Sequence, residues 1–477
     1  MDFDTPSAPT VAATALTLAL GLFLWSSMHR AASSSIPTVP SWLPFLGSSL
    51  EFSGDCVGFL RKCQARFGDV FNVYLGGKTM TFFVSPKHYG ALLKHKALSS
   101  KPVFANISQQ ALGESEAFAT FMYRSPPSDA TINYHKLLLP HLHHSGAVAA
   151  LVDQTFRQQR RVLAHYRGVP RVSLLEFVNH CIFESGTRVL MGDSLVDKSP
   201  TLMNDFAAFD KSFPLLVAGV PALFLRAAVG ARQRLVDALH AYTGHDAATI
   251  IQKRLEALKL FDHGDATDPA KESMALLWAA SANSIPTTFW TLFHLLDNPA
   301  AWDAVRDEVQ LHLPSQGVET WTSEQLGQCV LLASAVDEAL RLSASSIAMR
   351  VATEDIDLNI DNSTVQLAKG SHVMIFPNLA HADETIFPSP HTFQFDRFVH
   401  ATAAQKEAFK PFGMGVSMCP GRNFAKNQVK MFVALLMLET KQVSLVPGYI
   451  KPKLDTGRLG LGILPPTDAS IEIELEM

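Results

Sequence analysis

In the segment KPFGMGVSMCPGRNFA a cysteine sits among glycines: Phe412, Gly415, Cys419 and Gly421 follow the spacing F-x-x-G-x-x-x-C-x-G ahead of a helical pattern that starts at Asn423. A lone cysteine is usually a small buried hydrophobe. These surroundings point instead to a metal-ligating thiolate, because glycines let backbone approach a flat ligand and amides at a helix N-terminus hold a thiolate's charge. Glu338 and Arg341 lie three apart in SAVDEALRLSASS and can pair on one helix face. With Arg397 of FQFDRFV as third member, a buried Glu-Arg-Arg cluster is expected.

A second reactive stretch is LLWAASANSIPTTFWTLFHLLDNP, Leu276 to Pro299, an apolar helical pattern interrupted by Pro286. Proline has no N–H, so the carbonyl of Ala282, four residues back, loses its helical partner and is free to face a ligand or water at a kink. The Asn283 amide beside it can donate and accept, although it is no acid near neutral pH. Ala282 and Asn283 are therefore able to hold a ligand oxygen or a water; the plainer alternative is a kinked core helix. His141, His143 and His144 lack nearby carboxylates and follow Pro140, so a solvated turn is expected there rather than a metal site.

The elements that must position these residues are mainly helical. Apolar positions recur at helical spacing through residues 146–165, 231–262, 270–297, 325–343 and 420–438. FGDVFNVYLGGKTMTFFVSP reads as a hairpin turning at Gly76-Gly77, and strand signals return only around 347–376. The expectation is a mainly α body with a small β region made from distant parts of the chain.

At 477 residues, 47% apolar and 18% charged, the chain can bury a large core, which excludes disorder for most of it. A net charge of −4 leaves no cationic excess for a nucleic acid. Five scattered cysteines make no disulfide framework and suggest a reducing compartment. Residues 5–29 carry no formal charge and are long enough for one transmembrane helix, with Asp2 and Asp4 before it and Arg30 after it placing the remainder on the cytoplasmic side. The predicted organisation is an anchor at 1–30, a proline-rich connector at 31–47 and one catalytic domain at 48–477. Within the last, Lys211 to Leu235 is almost uncharged but broken by Gly219 and Pro221; it reads either as core or as a second surface dipping into the bilayer.

Over nearly its whole length the chain resembles the cytochrome P450 family of haem-thiolate enzymes. The cysteine loop, Glu338-x-x-Arg341, Arg397, His381-Ala382-Asp383 and Ile386-Phe387-Pro388-Ser389-Pro390 occur in that family's order and spacing. The helix from Leu276 and the segment Phe213 to Gly219 resemble those of the group containing cholesterol 7-alpha-hydroxylase, sterol 12-alpha-hydroxylase and prostacyclin synthase. The resemblance implies the cytochrome P450 fold preceded by one N-terminal transmembrane helix, in the endoplasmic reticulum membrane with the catalytic domain cytoplasmic. It implies haem b (iron protoporphyrin IX), with Cys419 as the iron's proximal thiolate, Phe412, Gly415 and Gly421 around it, and Glu338, Arg341 and Arg397 bracing the scaffold. Two departures stand out. Ala282 and Asn283 replace the usual acid-threonine proton relay, which by the resemblance makes them the predicted catalytic pair, and Ser417 stands where many members carry a cation for a haem propionate. The resemblance offers Arg350 for that task, with Lys136 or His135 as further candidates.

The function so implied is a monooxygenase that hydroxylates or epoxidises a bulky lipophilic, steroid-like or terpenoid substrate. Its electrons would come from NADPH through NADPH-cytochrome P450 reductase, docked on a basic group of Lys406, Lys410, Arg422, Lys426 and Lys430. One alternative is a reductase-independent isomerase or dehydratase rearranging a peroxide or endoperoxide, chemistry that needs no proton relay. A non-catalytic haem sensor or carrier is the other.

Overall fold

The computed structural model describes residues 17, 21, 36–124, 140–142, 145–259, 264–314, 319–360, 363–415, 418–468 and 470–477. The expected anchor, apart from Thr17 and Gly21, lies outside the described residues, as do His135, Lys136, His143, His144 and Ser417. Among the described residues no helix is long and apolar enough to cross a membrane. The chain forms two compact units, one of residues 1–100 with 348–379, the other of residues 101–347 with 380–477.

The first unit is built on a five-stranded sheet. β1 (Val70–Leu75) and β2 (Lys78–Phe83) form the expected hairpin, and Gly76 and Gly77 at its tip both take the positive φ, 52° and 82°, that such a tight turn requires. β3 is Leu98–Ser99, β4 Ala348–Ala352 and β5 His372–Ile375; the order is β1-β2-β5-β4-β3, with β5 parallel to β2 and antiparallel to β4. Strands nearly 300 residues apart thus share one sheet, buried on both faces: Phe71 and Phe82 lie on one, Phe83, Val373 and Ile375 on the other, all without exposure. The described end of the connector lies along β1, where Val39 N–H donates to Asn72 O and Asn72 N–H to Pro37 O, both at 2.8 Å. An edge position suits a segment whose prolines lack donors.

The second unit is helical. Its central span is broken in two, α1 (Asp268–Ser281) and α2 (Ser284–Leu296), with Ala282 and Asn283 at the break. α2 packs on α3 (Val330–Ser343) and on α4 (Arg422–Glu439), and its Phe289, Leu292 and Leu295 are fully buried. The helical periodicity through 231–262 does not give one helix. Arg226–His240 and Thr249–Leu258 are separate, divided by a turn in which Gly244 has φ 72°.

Strand structure is not confined to 347–376 beyond the first hairpin. Arg171–Ser173, Gln442–Leu445 and Glu472–Glu476 make a three-stranded sheet, and Ala344–Ser346 pairs with Leu461–Ile463 in a short ribbon. Strands of three to five residues are too short for alternation to show, and their partners are distant in sequence. In the Lys211 to Leu235 segment, Pro214 lies inside the helix Leu202–Val217, and Gly219 turns the chain at φ 75°. Phe213 and Leu216 enter the core, whereas Leu215, Leu223 and Phe224 are exposed, so the segment is core on one face and bare at its tip.

Candidate active site

Cys419 ends a tight loop and stands three residues before the start of α4. Its N–H donates to Phe412 O at 2.9 Å, the Met418 N–H to Gly415 O at 3.1 Å and the Gly413 N–H to Lys410 O at 3.2 Å. Gly413 and Gly415 take φ of 71° and 64°, which glycine adopts without strain. Gly421 has φ −84°, an ordinary backbone, and a Cβ there would meet only the Cys419 sulfur, at 3.9 Å. Cys56, Cys63, Cys181 and Cys329 are buried, and Cys419 is exposed. Enough protein surrounds its sulfur that desolvation still raises the thiol pKa, opposed by the amides of Gly421 and Arg422 and by the Arg422 charge. As a free thiol it is neutral; a cation in front of the sulfur would complete the charge balance that those donors begin.

Behind the loop the expected acid-base cluster is present. Glu338 has no exposure, and its carboxylate accepts from Arg341 Nε and Nη2, each at 2.8 Å, and from Arg397 Nε at 2.9 Å. Arg341 Nη1 donates to His381 O at 2.6 Å and to Pro390 O at 2.7 Å. His381 Nε2 in turn accepts the Lys410 N–H at 3.1 Å, which ties the cluster to the start of the cysteine loop.

Accepting that bond requires a neutral imidazole, and burial together with the Arg341 charge pushes the His381 pKa down to about 3. The folded pKa lies below the ordinary value of ~6.5. The unfolded chain therefore binds the extra proton, and the stability from keeping His381 neutral is complete above pH ~6.5 and lost as pH falls toward 3. Thermal unfolding of wild type and His381→Gln across that window is expected to show a steeper acid loss in the wild type, by about 1.4 kcal/mol per pH unit. Parallel curves would refute the assignment.

At the helix break Asn283 is half-buried, and its Oδ1 accepts the Ile463 N–H at 2.8 Å. Thr287 Oγ1 donates back to the Asn283 carbonyl at 2.6 Å, so that hydroxyl is used inside the helix. Ala282 is buried, and Pro286 supplies no donor for its carbonyl. The ribbon from 461 to 463 went unnoticed in sequence; its signal was a single glycine, Gly462, between two apolar residues.

Other predicted residues fall elsewhere. Arg350 lies on β4 of the first unit, buried, with Nη1 donating to Met349 O at 2.9 Å and its pKa lowered by desolvation. Phe412 is partly buried against the main core. The basic group requires correction. Lys430 is buried and donates to Leu326 O at 3.3 Å, and the half-buried Lys426 is paired with Asp337 at 2.7 Å, which leaves exposed Lys406 and half-buried Lys410 and Arg422 without a carboxylate partner of that kind among the described residues. The i, i+4 spacing of Lys426 and Lys430 was compatible with either face of α4, and the carboxylate on α3 decided which.

A sequence model of the family described as "Cytochrome P450" matches residues 37–469. The chain belongs to the cytochrome P450 family. Among relatives, "Cytochrome P450 7A1" of Oryctolagus cuniculus is 30% identical over 94% of this chain and 95% of its own length. "Cholesterol 7-alpha-monooxygenase" of Cricetulus griseus is 32% identical over 92% of this chain and 93% of its own, and "7-alpha-hydroxycholest-4-en-3-one 12-alpha-hydroxylase" of Homo sapiens 28% over 96% of each. This cytochrome P450 is an oxidoreductase of the monooxygenase type, and its family implies a haem group and electrons from a reductase. The residues present fit a haem bound through sulfur: one exposed thiol, amides aimed at it from a helix N-terminus, and a loop turned in front of it at Gly413 and Gly415 by positive φ.

Proposed function

We propose that this protein hydroxylates or epoxidises a bulky sterol-like or terpenoid substrate, with haem b held by Cys419 and electrons passed from NADPH by NADPH-cytochrome P450 reductase. The observation that carries the reading is the single exposed cysteine in its glycine loop, on the same unit as the broken helix that carries Ala282 and Asn283. When bound, the haem activates dioxygen, with the thiolate's electron push assisting O–O cleavage. The chain's own part is to hold and orient. The amides of Gly421 and Arg422 favour the sulfur anion, Glu338, Arg341 and Arg397 fix the segment leading to it, and Asn283 offers a polar contact in an otherwise apolar helix break. Arg350 and Lys136 are the cations proposed for the haem propionates. The uncharged stretch 5–29 supports attachment to the endoplasmic reticulum membrane, and Lys406, Lys410 and Arg422 are what remains of a reductase-facing basic group.

Sterols that shift the haem absorption band identify ligands, and turnover tests the chemistry. Oxygenated product is expected only when NADPH, reductase and dioxygen are all supplied. Product from a peroxide substrate without reductase or dioxygen would overturn this reading in favour of the rearranging isomerase. Binding of sterols with no turnover under full reducing conditions would leave a carrier.

A further inference from the structure

The ribbon of Ala344–Ser346 and Leu461–Ile463 touches both halves of the candidate site. On one strand, Ser346 Oγ donates to Pro411 O at 3.3 Å, at the entrance to the cysteine loop. On the other, the Ile463 N–H holds Asn283 Oδ1 at the helix break. The register pairs Gly462 with Ser345 and Ile463 with Ala344, and beyond the ribbon Leu464 N–H donates to Ser343 O at 2.9 Å while its own carbonyl accepts Trp290 Nε1 at 2.7 Å. The ribbon is therefore fastened to α2, to α3 and to the cysteine loop.

Two consequences follow for Asn283. A backbone N–H can only donate, so the atom facing Ile463 must be the amide oxygen, and the side chain has one orientation rather than two. Its oxygen is anchored by Ile463, and the Nδ2 group has no protein acceptor among the described residues. The contact also depends on Gly462. Its φ is +123°, and a Cβ there would stand 2.1 Å from Asn283 Oδ1. Any side chain would drive the amide out of place.

We infer that Gly462 and Ile463 are positioning residues that fix the Asn283 amide so that its Nδ2 group is presented to the ligand as a hydrogen-bond donor, and that the site therefore favours sterols carrying an accepting oxygen at that point. This rests on the sterol reading above and on haem bound at Cys419. A carbonyl only accepts and suits a fixed NH2 group; an apolar carbon in its place leaves the donors unpaired.

The test uses the full-length haem-loaded protein and two variants, Gly462→Ala and Asn283→Asp; the latter keeps an acceptor for Ile463 while removing the Nδ2 donors. Dissociation constants for cholest-4-en-3-one and its 3-deoxy counterpart cholest-4-ene are read from the haem absorption shift. Wild type is expected to prefer the ketone, and both variants to lose that preference by roughly five- to tenfold, the worth of one hydrogen bond, with the reduced carbon monoxide band intact. A second readout needs no sterol: the infrared C–O stretch of the reduced carbon monoxide complex is expected to shift or broaden in both variants as the donor is moved or removed. If wild type binds neither sterol, the sterol reading fails and the C–O stretch alone decides the positioning claim. Should Gly462→Ala not fold, Asn283→Asp answers by both readouts. Unchanged preference and an unchanged C–O band in a haem-loaded variant would overturn the inference.

Discussion

Cys419→Ala is expected to abolish the reduced carbon monoxide difference spectrum with its thiolate signature, and to lower turnover by at least about a thousandfold. The folded chain should hardly notice. The residue is exposed and outside the apolar core, so the change in unfolding free energy of the haem-free protein is expected within about 0.5 kcal/mol. Cys181→Ala supplies the opposite pattern. That residue has no exposure and lies in the core between Val178 and Ile182, so its loss should cost stability on the order of 1 kcal/mol and leave the thiolate band in place. Exchanged outcomes, with the band lost in Cys181→Ala and kept in Cys419→Ala, would show that the sulfur ligand had been assigned to the wrong cysteine. The contrast between the two isolates coordination from folding, which neither substitution does alone.

What could be read in advance follows the range of the interactions. The cysteine loop is local: its turns close within eight residues and demand glycine at Gly413 and Gly415, so the pattern is written in adjacent letters. Glu338 and Arg341 are one helical turn apart and equally visible. The Asn283–Ile463 contact spans 180 residues, and the ribbon supplying its donor is three residues a strand, too short for any periodicity. Lys426 and Lys430 show the complementary failure. Helical spacing tells which residues share a face, whereas burial of that face depends on what α3 and the helix Ser323–Gln328 present to it. The first unit's sheet was half legible for the same reason: the β1–β2 hairpin is local, and its union with β5 is not.

The second large effect belongs to Glu338→Gln. The wild-type carboxylate balances two guanidinium groups in a place with no exposure, and the substitution leaves both cations buried with one oxygen acceptor fewer. Removing one partner of a buried ion pair costs about 3–5 kcal/mol, against a total stability of about 5–15 kcal/mol for a typical domain. Little folded, haem-loaded protein is expected, read as loss of the carbon monoxide band per unit of soluble chain together with a fall in melting temperature. Arg341→Lys keeps the charge but gives up the planar fork, so an intermediate loss is expected. Buried ion pairs can often be exchanged for apolar residues at no cost, and the triple change Glu338→Leu, Arg341→Leu, Arg397→Leu tests whether this one can. Here it should fail. The two arginines also donate to the carbonyls of His381, Pro388, Ser389, Pro390 and Thr392, so apolar replacements would strand the two buried acceptors, His381 O and Pro390 O, and release the three exposed ones along the chain that leads to the cysteine loop. A stable triple variant with full haem content would mean that this loop is shaped by packing alone. A collapsed one would mean that the cluster exists to satisfy that backbone, with the carboxylate present to make two buried arginines tolerable.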